Sequence, residues 1–215
     1  MRLLTRREAV KCCFAAGGCG LAAMSLGCGS NDPIESIRKA AEGDVFTLGE
    51  YPYGHELDIQ PILWRVLAKE ENRALVVSYY GLDCRQFNSS EIKGNDWYSS
   101  DLRAWLNGSF KSTAFSSEEL QIIEEITCLS ADEAKKYFKY DNDRICERTR
   151  YADSLTPWMV GGPCSWWLRS PAAQSRRLSS SWGAAIVTWE GKIDSEDGRD
   201  VDEYTFVRPA MWLQL

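Results

Sequence analysis

Two tryptophan- and arginine-containing segments near the C-terminus constrain the fold of this chain more than any other feature. The first reads WWLRSP at residues 166–171. In a β-strand successive side chains point to opposite faces, so Trp166 and Leu168 share one face while Trp167 and Arg169 share the other. We therefore predict a strand with both faces covered, each presenting a tryptophan.

The second segment reads VRPAMWL at residues 207–213. The same alternation places Arg208 and Trp212 on one face. The opposite face is apolar and consists of Val207, Pro209, Met211 and Leu213. Because each segment has a Trp and an Arg on one face, we predict that guanidinium and indole stack within each segment.

The length and charge of the chain limit the number of domains and the class of partner. Its 215 residues suffice for one well-cored domain and a leader. The first 27 residues hold four basic residues and one acidic residue, so the rest carries a formal charge of −9, against −6 for the whole chain. An acidic domain of this kind argues against nucleic acid or an anionic membrane as the main partner.

The N-terminus has the composition of an export signal, which we place at residues 1–28. Arg6 and Arg7 follow a threonine and precede an uncharged stretch rich in Gly and Ala. Adjacent arginines in this position resemble a twin-arginine signal. A membrane anchor is the alternative, but four glycines dilute the apolar stretch, which barely reaches bilayer length.

Cys28 ends the sequence SLGC, which resembles a lipoprotein cleavage box with the leucine one position out of place. Residues 29–43 follow it as a polar tether with a short helix. Lipidation at Cys28 and simple secretion both remain open. Both alternatives predict an exported protein of the cell envelope or extracellular space, which contacts the membrane only through a lipid anchor.

Four cysteines belong to the domain, namely Cys84, Cys128, Cys146 and Cys164. In an exported protein they could form two disulfides in any of three connectivities, or remain buried thiols. None has the spacing of a zinc site, and His55 is the only histidine. We therefore predict no metal of the Cys/His kind and no cofactor.

The remaining pattern predicts an α+β fold with a mostly antiparallel sheet and helices inserted in the middle of the chain. Strands are predicted at 45–49, 62–68, 74–80, 182–189 and 192–194, in addition to the two segments above. Helices are predicted to start at Ser100, Ser116 and Ser130, with the first ending at Asn107-Gly108. Residues 140–163 and 194–203 are predicted loops. One α+β domain then spans 44–215.

Four motifs resemble those of a bacterial family of unknown function, DUF6273, found in exported and surface proteins. They are WRVL at 64–67, SDLRAWLN at 100–107, WWLRS at 166–170 and VRPA at 207–210. The family is similar to C-type-lectin-like folds, in the branch that includes formylglycine-generating enzymes and bacterial variable surface binders. This resemblance implies a C-type-lectin-like domain and does not fix a function.

The sequence supports no catalytic site. Formylglycine-generating relatives use a closely spaced Cys pair near the C-terminus, and no cysteine follows Cys164 here. His55, the only histidine base available, lies in a polar loop. The acidic run 194–200 does not match the ligand spacing of a calcium-binding EF-hand loop, so we read it as a solvated turn and leave an irregular calcium site open.

Binding is the function class that the sequence favours. The polar loop 171–181 carries Arg176 and Arg177 next to Trp182, and Trp189 follows. Such residues can form a recognition surface for a carbohydrate or protein ligand, although both tryptophans could instead pack in the core. We predict an exported, non-catalytic binding module. An envelope enzyme of unassigned chemistry and a structural subunit of a surface assembly are the alternatives.

Overall fold

Ten β-strands in two sheets and several short helices make up the described part of the chain. The structure is a computed structural model that describes residues 33–156, 162–173 and 182–215, within one compact unit, Asp32–Leu215. The strands are, in chain order, β1 (Val45–Pro52), β2 (Ile59–Glu70), β3 (Arg73–Ser78), β4 (Asp83–Gln86), β5 (Ile123–Thr127), β6 (Trp166–Pro171), β7 (Gly183–Val187), β8 (Ile193–Asp200), β9 (Tyr204–Val207) and β10 (Ala210–Gln214). The predicted α+β class is confirmed.

The helices are short and lie mainly between β4 and β6. They are α1 (Pro33–Lys39), α2 (Asp101–Trp105), a π-helical turn (Leu106–Phe110), α3 (Lys111–Ala114), α4 (Ala131–Tyr137), α5 (Asp141–Arg144) and α6 (Arg150–Ser154). Three 3₁₀ turns occupy Glu91–Lys93, Trp97–Ser99 and Glu119–Gln121. Most of the helical structure thus falls in the middle of the chain, as predicted.

The two sheets have five strands each. Their orders are β1-β2-β3-β10-β5 and β4-β9-β6-β7-β8. Among the strand pairs of the described residues, only β6 with β9 is parallel, and it makes a single register pair, Trp166 with Phe206. The strands predicted at 62–68 and 74–80 are confirmed as β2 and β3, which form a hairpin with Glu70 opposite Arg73 at the turn. The sheets are therefore mostly antiparallel, as predicted.

The C-terminal VRPAMWL segment is not one strand but a crossing between the two sheets. Val207 ends β9 in the second sheet and Ala210 begins β10 in the first. Pro209 has no N–H for a ladder, so the strand breaks there. Its carbonyl accepts a hydrogen bond from the Ser78 N–H at 2.8 Å, which holds the crossing to the end of β3.

Two apolar clusters form the core, and β6 contributes to both. Trp167 packs in the cluster that includes Trp64 and Phe110. Trp166 and Leu168 pack in the cluster that contains Phe138, Phe206 and Cys164 among others. The alternation predicted from the sequence is confirmed, and both faces of this strand are buried.

The prediction that Arg and Trp of the same segment stack on each other is wrong. Arg208 lies over Trp166, with 5.1 Å between its guanidinium carbon and the ring centroid. Trp212 is instead covered by Arg73 of β3, at 4.1 Å. Arg169 pairs with the Glu133 carboxylate at 2.6 Å. Stacking occurs between segments because residues of one strand that share a face are farther apart than residues of neighbouring strands.

The predicted helix stop at Asn107-Gly108 is also wrong. Helical structure continues through the π-helical turn and α3 to Ala114. Asn107 does not cap a helix end, because its side chain donates to the Ile126 carbonyl at 2.8 Å and accepts from the Ile126 N–H at 3.0 Å. The residue therefore fastens the helical segment to β5.

Three further segments differ from prediction. Within the predicted tether, α1 packs on the domain, with Ile37 fully buried and the Lys69 ammonium donating to three carbonyls at the end of the helix. Residues 140–163 include α5 and α6, which are too short to show a periodic pattern. Residues 194–203 are mostly strand β8, at the edge of the second sheet, where exposed charges prevent further pairing.

Candidate functional site

The residues predicted from sequence to bind a ligand do not assemble into one site within the described residues. Arg176 and Arg177 lie outside those residues, as do Arg6, Arg7 and Cys28 of the predicted export signal. Trp182 is 51% exposed and Trp189 is 60% exposed. They flank opposite ends of β7, which separates them by at least about 15 Å at the rise of a strand.

His55 lies in the turn between β1 and β2, where its carbonyl accepts a hydrogen bond from the Asp58 N–H at 2.8 Å. Its side chain is exposed and lines none of the clefts described below. The four domain cysteines are buried. The geometry therefore offers no support for His55 as a base acting on a cysteine.

The candidate site is a cleft, which we call the Arg85 cleft, between the second sheet and two helices. Its volume is about 360 Å³. Two other clefts in the described part of the chain measure about 190 and 140 Å³. Small-molecule sites usually occupy roughly 300–1,000 Å³. The Arg85 cleft is lined by Asp83, Cys84, Arg85, Gln86, Ser89, Asp101, Leu102, Trp105, Tyr151, Leu155 and Tyr204.

Short elements from distant parts of the sequence bring these side chains together. Strand β4 pairs with β9, with Gln86 opposite Tyr204. Helix α2 begins at a Ser100 cap, whose hydroxyl accepts from the Arg103 N–H at 3.1 Å. Helix α6 begins in the same way at Thr149, whose hydroxyl accepts from the Ala152 N–H at 3.1 Å. These caps fix the start of α2, which ends at Trp105, and the first turn of α6, which carries Tyr151.

A buried carboxylate forms the floor of the cleft. Asp83 is 1% exposed, and it accepts hydrogen bonds of 2.7 Å from the Tyr51 hydroxyl and from the Cys84 N–H. Burial raises the pKa of Asp83, although Arg85 and the Tyr51 hydroxyl partly oppose the effect. Burial, with the nearby Asp83 charge, also raises the pKa values of Tyr51 and Tyr151. Both hydroxyls therefore stay protonated and can donate at neutral pH.

The Arg85 guanidinium is fixed in place on two sides. Its Nε lies 3.3 Å from the Asp83 carboxylate, and its guanidinium carbon lies 4.0 Å from the Trp105 ring centroid. The backbone carbonyl of Arg85 accepts from the Trp167 indole at 2.8 Å. The buried Nε itself has no hydrogen-bond acceptor among the described residues, although the Asp83 carboxylate lies near it. The terminal nitrogens form no ion pair or hydrogen bond with a described residue either, so the guanidinium can donate to a ligand.

A second carboxylate, Asp101, lies at the rim. Hydrogen bonds from the Lys93 ammonium at 2.6 Å and from the Ser89 hydroxyl at 2.6 Å lower the pKa of Asp101 to about 2. Asp101 therefore stays ionised at neutral pH. The cleft thus contains one carboxyl group with a raised pKa and one with a lowered pKa, each paired with a cation.

The sequence did not reveal this site. Asp83 and Arg85 stand in a short polar run that resembles a loop, and Trp105 fits the apolar face of a helix. The alternation of charged residues at 83 and 85 around Cys84 was the available signal. It became informative only once β9 was placed beside β4, because an isolated four-residue run does not predict a strand.

Neither a metal site nor a membrane-spanning helix is found in the described ranges. No cluster of three or more Cys, His, Asp or Glu side chains there could hold a metal ion. None of the helices in those ranges is long and apolar enough to cross a membrane.

The fold and the cleft define a class of protein: an α+β domain of two mainly antiparallel sheets, with a polar and aromatic cleft at one sheet edge. The model of the family described as Domain of unknown function (DUF6273) matches residues 71–134 and 124–215. The chain belongs to this family. No curated protein and no solved structure is significantly similar to it.

Proposed function

We propose that the chain is an exported, non-catalytic binding module of the cell envelope and that the Arg85 cleft binds a carbohydrate. The fixed guanidinium of Arg85 is the observation that supports this proposal. Its terminal nitrogens can donate two parallel hydrogen bonds to neighbouring hydroxyls or to a carboxylate of a sugar. The rings of Tyr151 and Tyr204 beside it can cover the apolar face of the same sugar.

The shape of the site favours a small ligand over a flat protein surface. Ligand sites for small molecules are concave and place a few polar groups among apolar ones. Arg85 needs no reorganisation on binding, because Asp83 and Trp105 already hold it. The alternative ligand is a protein that inserts one acidic side chain into the cleft. The test below distinguishes this ligand from a carbohydrate.

Binding of purified protein to a glycan array, followed by calorimetry on the best ligand, tests the proposal. We expect Arg85→Gln to weaken binding roughly tenfold to a hundredfold, since hydrogen bonds from a charged donor contribute about 1.5–3 kcal/mol. Tyr204→Ala should weaken it less. Tyr140→Ala, which removes a 60% exposed side chain outside the cleft, is the matched control and should leave affinity unchanged.

The loop predicted from sequence is tested in the same assay. An Arg176→Ala/Arg177→Ala/Trp182→Ala variant that loses binding while folded Arg85→Gln retains it would move the site to the loop. Unchanged affinity in folded Arg85→Gln and Tyr204→Ala would contradict the cleft assignment. Binding to a protein but to no glycan would leave the cleft as the site and change the ligand class.

Glycoside hydrolysis is a second candidate, favoured by one observation. Asp83 and Asp101 line the same cleft and their pKa values are shifted in opposite directions. A raised and a lowered carboxyl pKa are what a general acid and its partner carboxylate require. Release of chromophore from aryl glycosides, lost in Asp101→Asn, would support this enzyme. No release at any pH from 4 to 8 would remove it.

The envelope location and the finer fold relationship are also proposals. Residues 1–28 support export, through Arg6 and Arg7, and lipidation at Cys28. The four motifs and the mainly antiparallel architecture support a C-type-lectin-like fold. Superposition of an experimental structure on C-type-lectin-like domains is the test of the fold relationship. A different strand order in the common core would contradict it.

A further inference from the structure

Cys146 and Cys164 lie directly opposite each other on two antiparallel segments. Glu147 and Pro163 form an antiparallel bridge. Cys146 precedes Glu147 and Cys164 follows Pro163, so the two cysteines lie opposite each other. The Cys164 N–H donates to the Cys146 carbonyl at 2.7 Å. Hydrogen-bonded pairs in antiparallel strands have Cα atoms about 5.5 Å apart. That spacing matches the separation of about 5.5–6 Å found most often in disulfides.

The two side chains also meet. Opposite residues of an antiparallel pair project to the same face, and both cysteines are buried in the same apolar cluster. The Cys146 thiol donates to the Glu147 carbonyl at 3.1 Å and lies 3.7 Å from the Tyr79 carbonyl. The backbone pairing and the shared cluster therefore place the two side chains on the same side of this segment pair.

The electrostatics distinguish this pair from the other two domain cysteines. Burial raises the pKa of Cys146, but the neighbouring Cys164 thiol and the charge of Arg208 outweigh it and lower the pKa. Burial instead raises the pKa values of Cys84 and Cys128 to about 12. Cys146 is therefore the thiol best able to act as a thiolate nucleophile.

We propose that Cys146 and Cys164 form a disulfide when the chain folds in the presence of a disulfide oxidant, while Cys84 and Cys128 remain thiols. Cys128 packs in the first apolar cluster and Cys84 in the second, so these two cysteines are not neighbours in one cluster. This proposal selects one bridge where the sequence left three connectivities open. It stands independently of any ligand in the Arg85 cleft.

The reaction is thiol–disulfide exchange with a low-molecular-weight disulfide. The Cys146 thiolate attacks one sulfur of the oxidant, whose S–S bond breaks as a mixed disulfide forms and a thiolate leaves. Cys164 then loses its proton, and its thiolate attacks the Cys146 sulfur and expels the second half of the oxidant. Two electrons pass to the oxidant, and its two thiolates take up the two protons. Because both sulfurs are buried in the folded protein, the oxidant reaches them when the surrounding packing opens transiently.

The bridge would restrain one wall of the Arg85 cleft. The segment between the two cysteines carries helix α6 and with it Tyr151. Closing a loop of this length restricts the unfolded chain and raises stability. We expect the midpoint of thermal unfolding to rise by roughly 5–10 °C in the oxidised protein.

Peptide mapping of the full chain tests the bridge directly. The protein is refolded with oxidised glutathione, alkylated, and digested with trypsin without reductant. Cleavage after Arg144 and Arg148 isolates Cys146 in a four-residue peptide, and cleavage after Arg150 and Arg169 isolates Cys164 in another. We expect these two peptides joined, lighter by two hydrogens than their sum, and separated by dithiothreitol.

Alkylation of both residues after oxidative refolding, or their joining to other cysteines, would overturn the proposal. A Cys84→Ala/Cys128→Ala variant is the matched control and should keep both the linked peptide and the reductant-sensitive shift in unfolding midpoint. A Cys146→Ala/Cys164→Ala variant should lose the shift. If that variant does not fold, the map of the unmodified chain still decides the outcome.

Discussion

Arg208 is a buried cation held by carbonyl oxygens and aromatic faces. It is 3% exposed, and its Nε donates to the Ser78 carbonyl at 2.9 Å. The guanidinium lies 5.4 Å from the Phe138 ring centroid and 5.1 Å from that of Trp166. No carboxylate in the described ranges forms an ion pair with it. Its charge thus links the β9–β10 crossing to the second apolar cluster.

We expect Arg208→Met to lower the free energy of unfolding by about 2–4 kcal/mol, because it leaves buried carbonyls without a donor. Arg73→Met is the matched control, since Arg73 also covers a tryptophan but on the surface. Its effect should be much smaller. Urea unfolding of both variants measures the difference, and equal losses would contradict a special role for the buried arginine.

At the scale of elements, Glu133 joins a helix start to a strand. Its carboxylate accepts from the Ser130 N–H at 2.8 Å, which completes a capping box at the start of α4. The same carboxylate receives two hydrogen bonds from Arg169 of β6, at 2.6 and 2.8 Å. Burial raises the pKa of Glu133, but Arg169 and the cap outweigh it, so the pKa is lowered overall.

Because the pKa of Glu133 is lower in the folded than in the unfolded protein, its ionised carboxylate stabilises the fold at pH values above the unfolded pKa of about 4.3. This stabilisation is lost as the pH falls through the folded-state pKa. We expect Glu133→Gln to cost about 1–3 kcal/mol at pH 7. The cost should shrink as pH falls below about 4. Unfolding measured from pH 7 to 3 tests this.

Glu125→Gln is the matched control for that measurement, because Glu125 pairs with Arg103 at a more exposed position. It should change stability little at any pH in the range. A cost of Glu133→Gln that does not vary with pH would show that the cap geometry matters and the charge does not.

At the scale of the whole molecule, the chain passes between its two sheets four times, after β3, β4, β5 and β9. The Arg85 cleft lies where the edge strand β4 meets α2 and α6. Nothing in the local sequence of β4 identifies that edge. The compact unit Asp32–Leu215 begins near α1, and the predicted export signal at residues 1–28 precedes it in the sequence.

We expect Arg6→Lys/Arg7→Lys to abolish export if a twin-arginine route carries the protein, because that route recognises the arginine pair. Cell fractionation and the size of the processed chain measure the outcome. A Cys28→Ala variant tested for incorporation of labelled fatty acid separates lipidation from simple secretion. Normal processing of the lysine variant would contradict the twin-arginine prediction.

The structural elements that depend on residues close together in the sequence could be predicted from the sequence. The alternation of Trp166 and Trp167, the β2–β3 hairpin and the capping box at Ser130 follow from the pleat of a strand and from hydrogen bonds within one turn. The Asn107-Gly108 stop failed because Asn107 bonds to Ile126 of another element instead. The ligand surface predicted at Trp182 and Trp189 stays a prediction, and β7 lies between these two exposed tryptophans.

The sequence by itself determined the α+β class, the mostly antiparallel pairing and the burial of both faces of the WWLRS strand, because these depend on local geometry. Only the tertiary structure decided the partners of Arg208, the Arg85 cleft and the position of Cys146 opposite Cys164. Arg208 and Ser78 are 130 residues apart, for example. Contacts of this kind depend on how the sheets pack, and many partners are equally compatible with a local pattern until packing selects one.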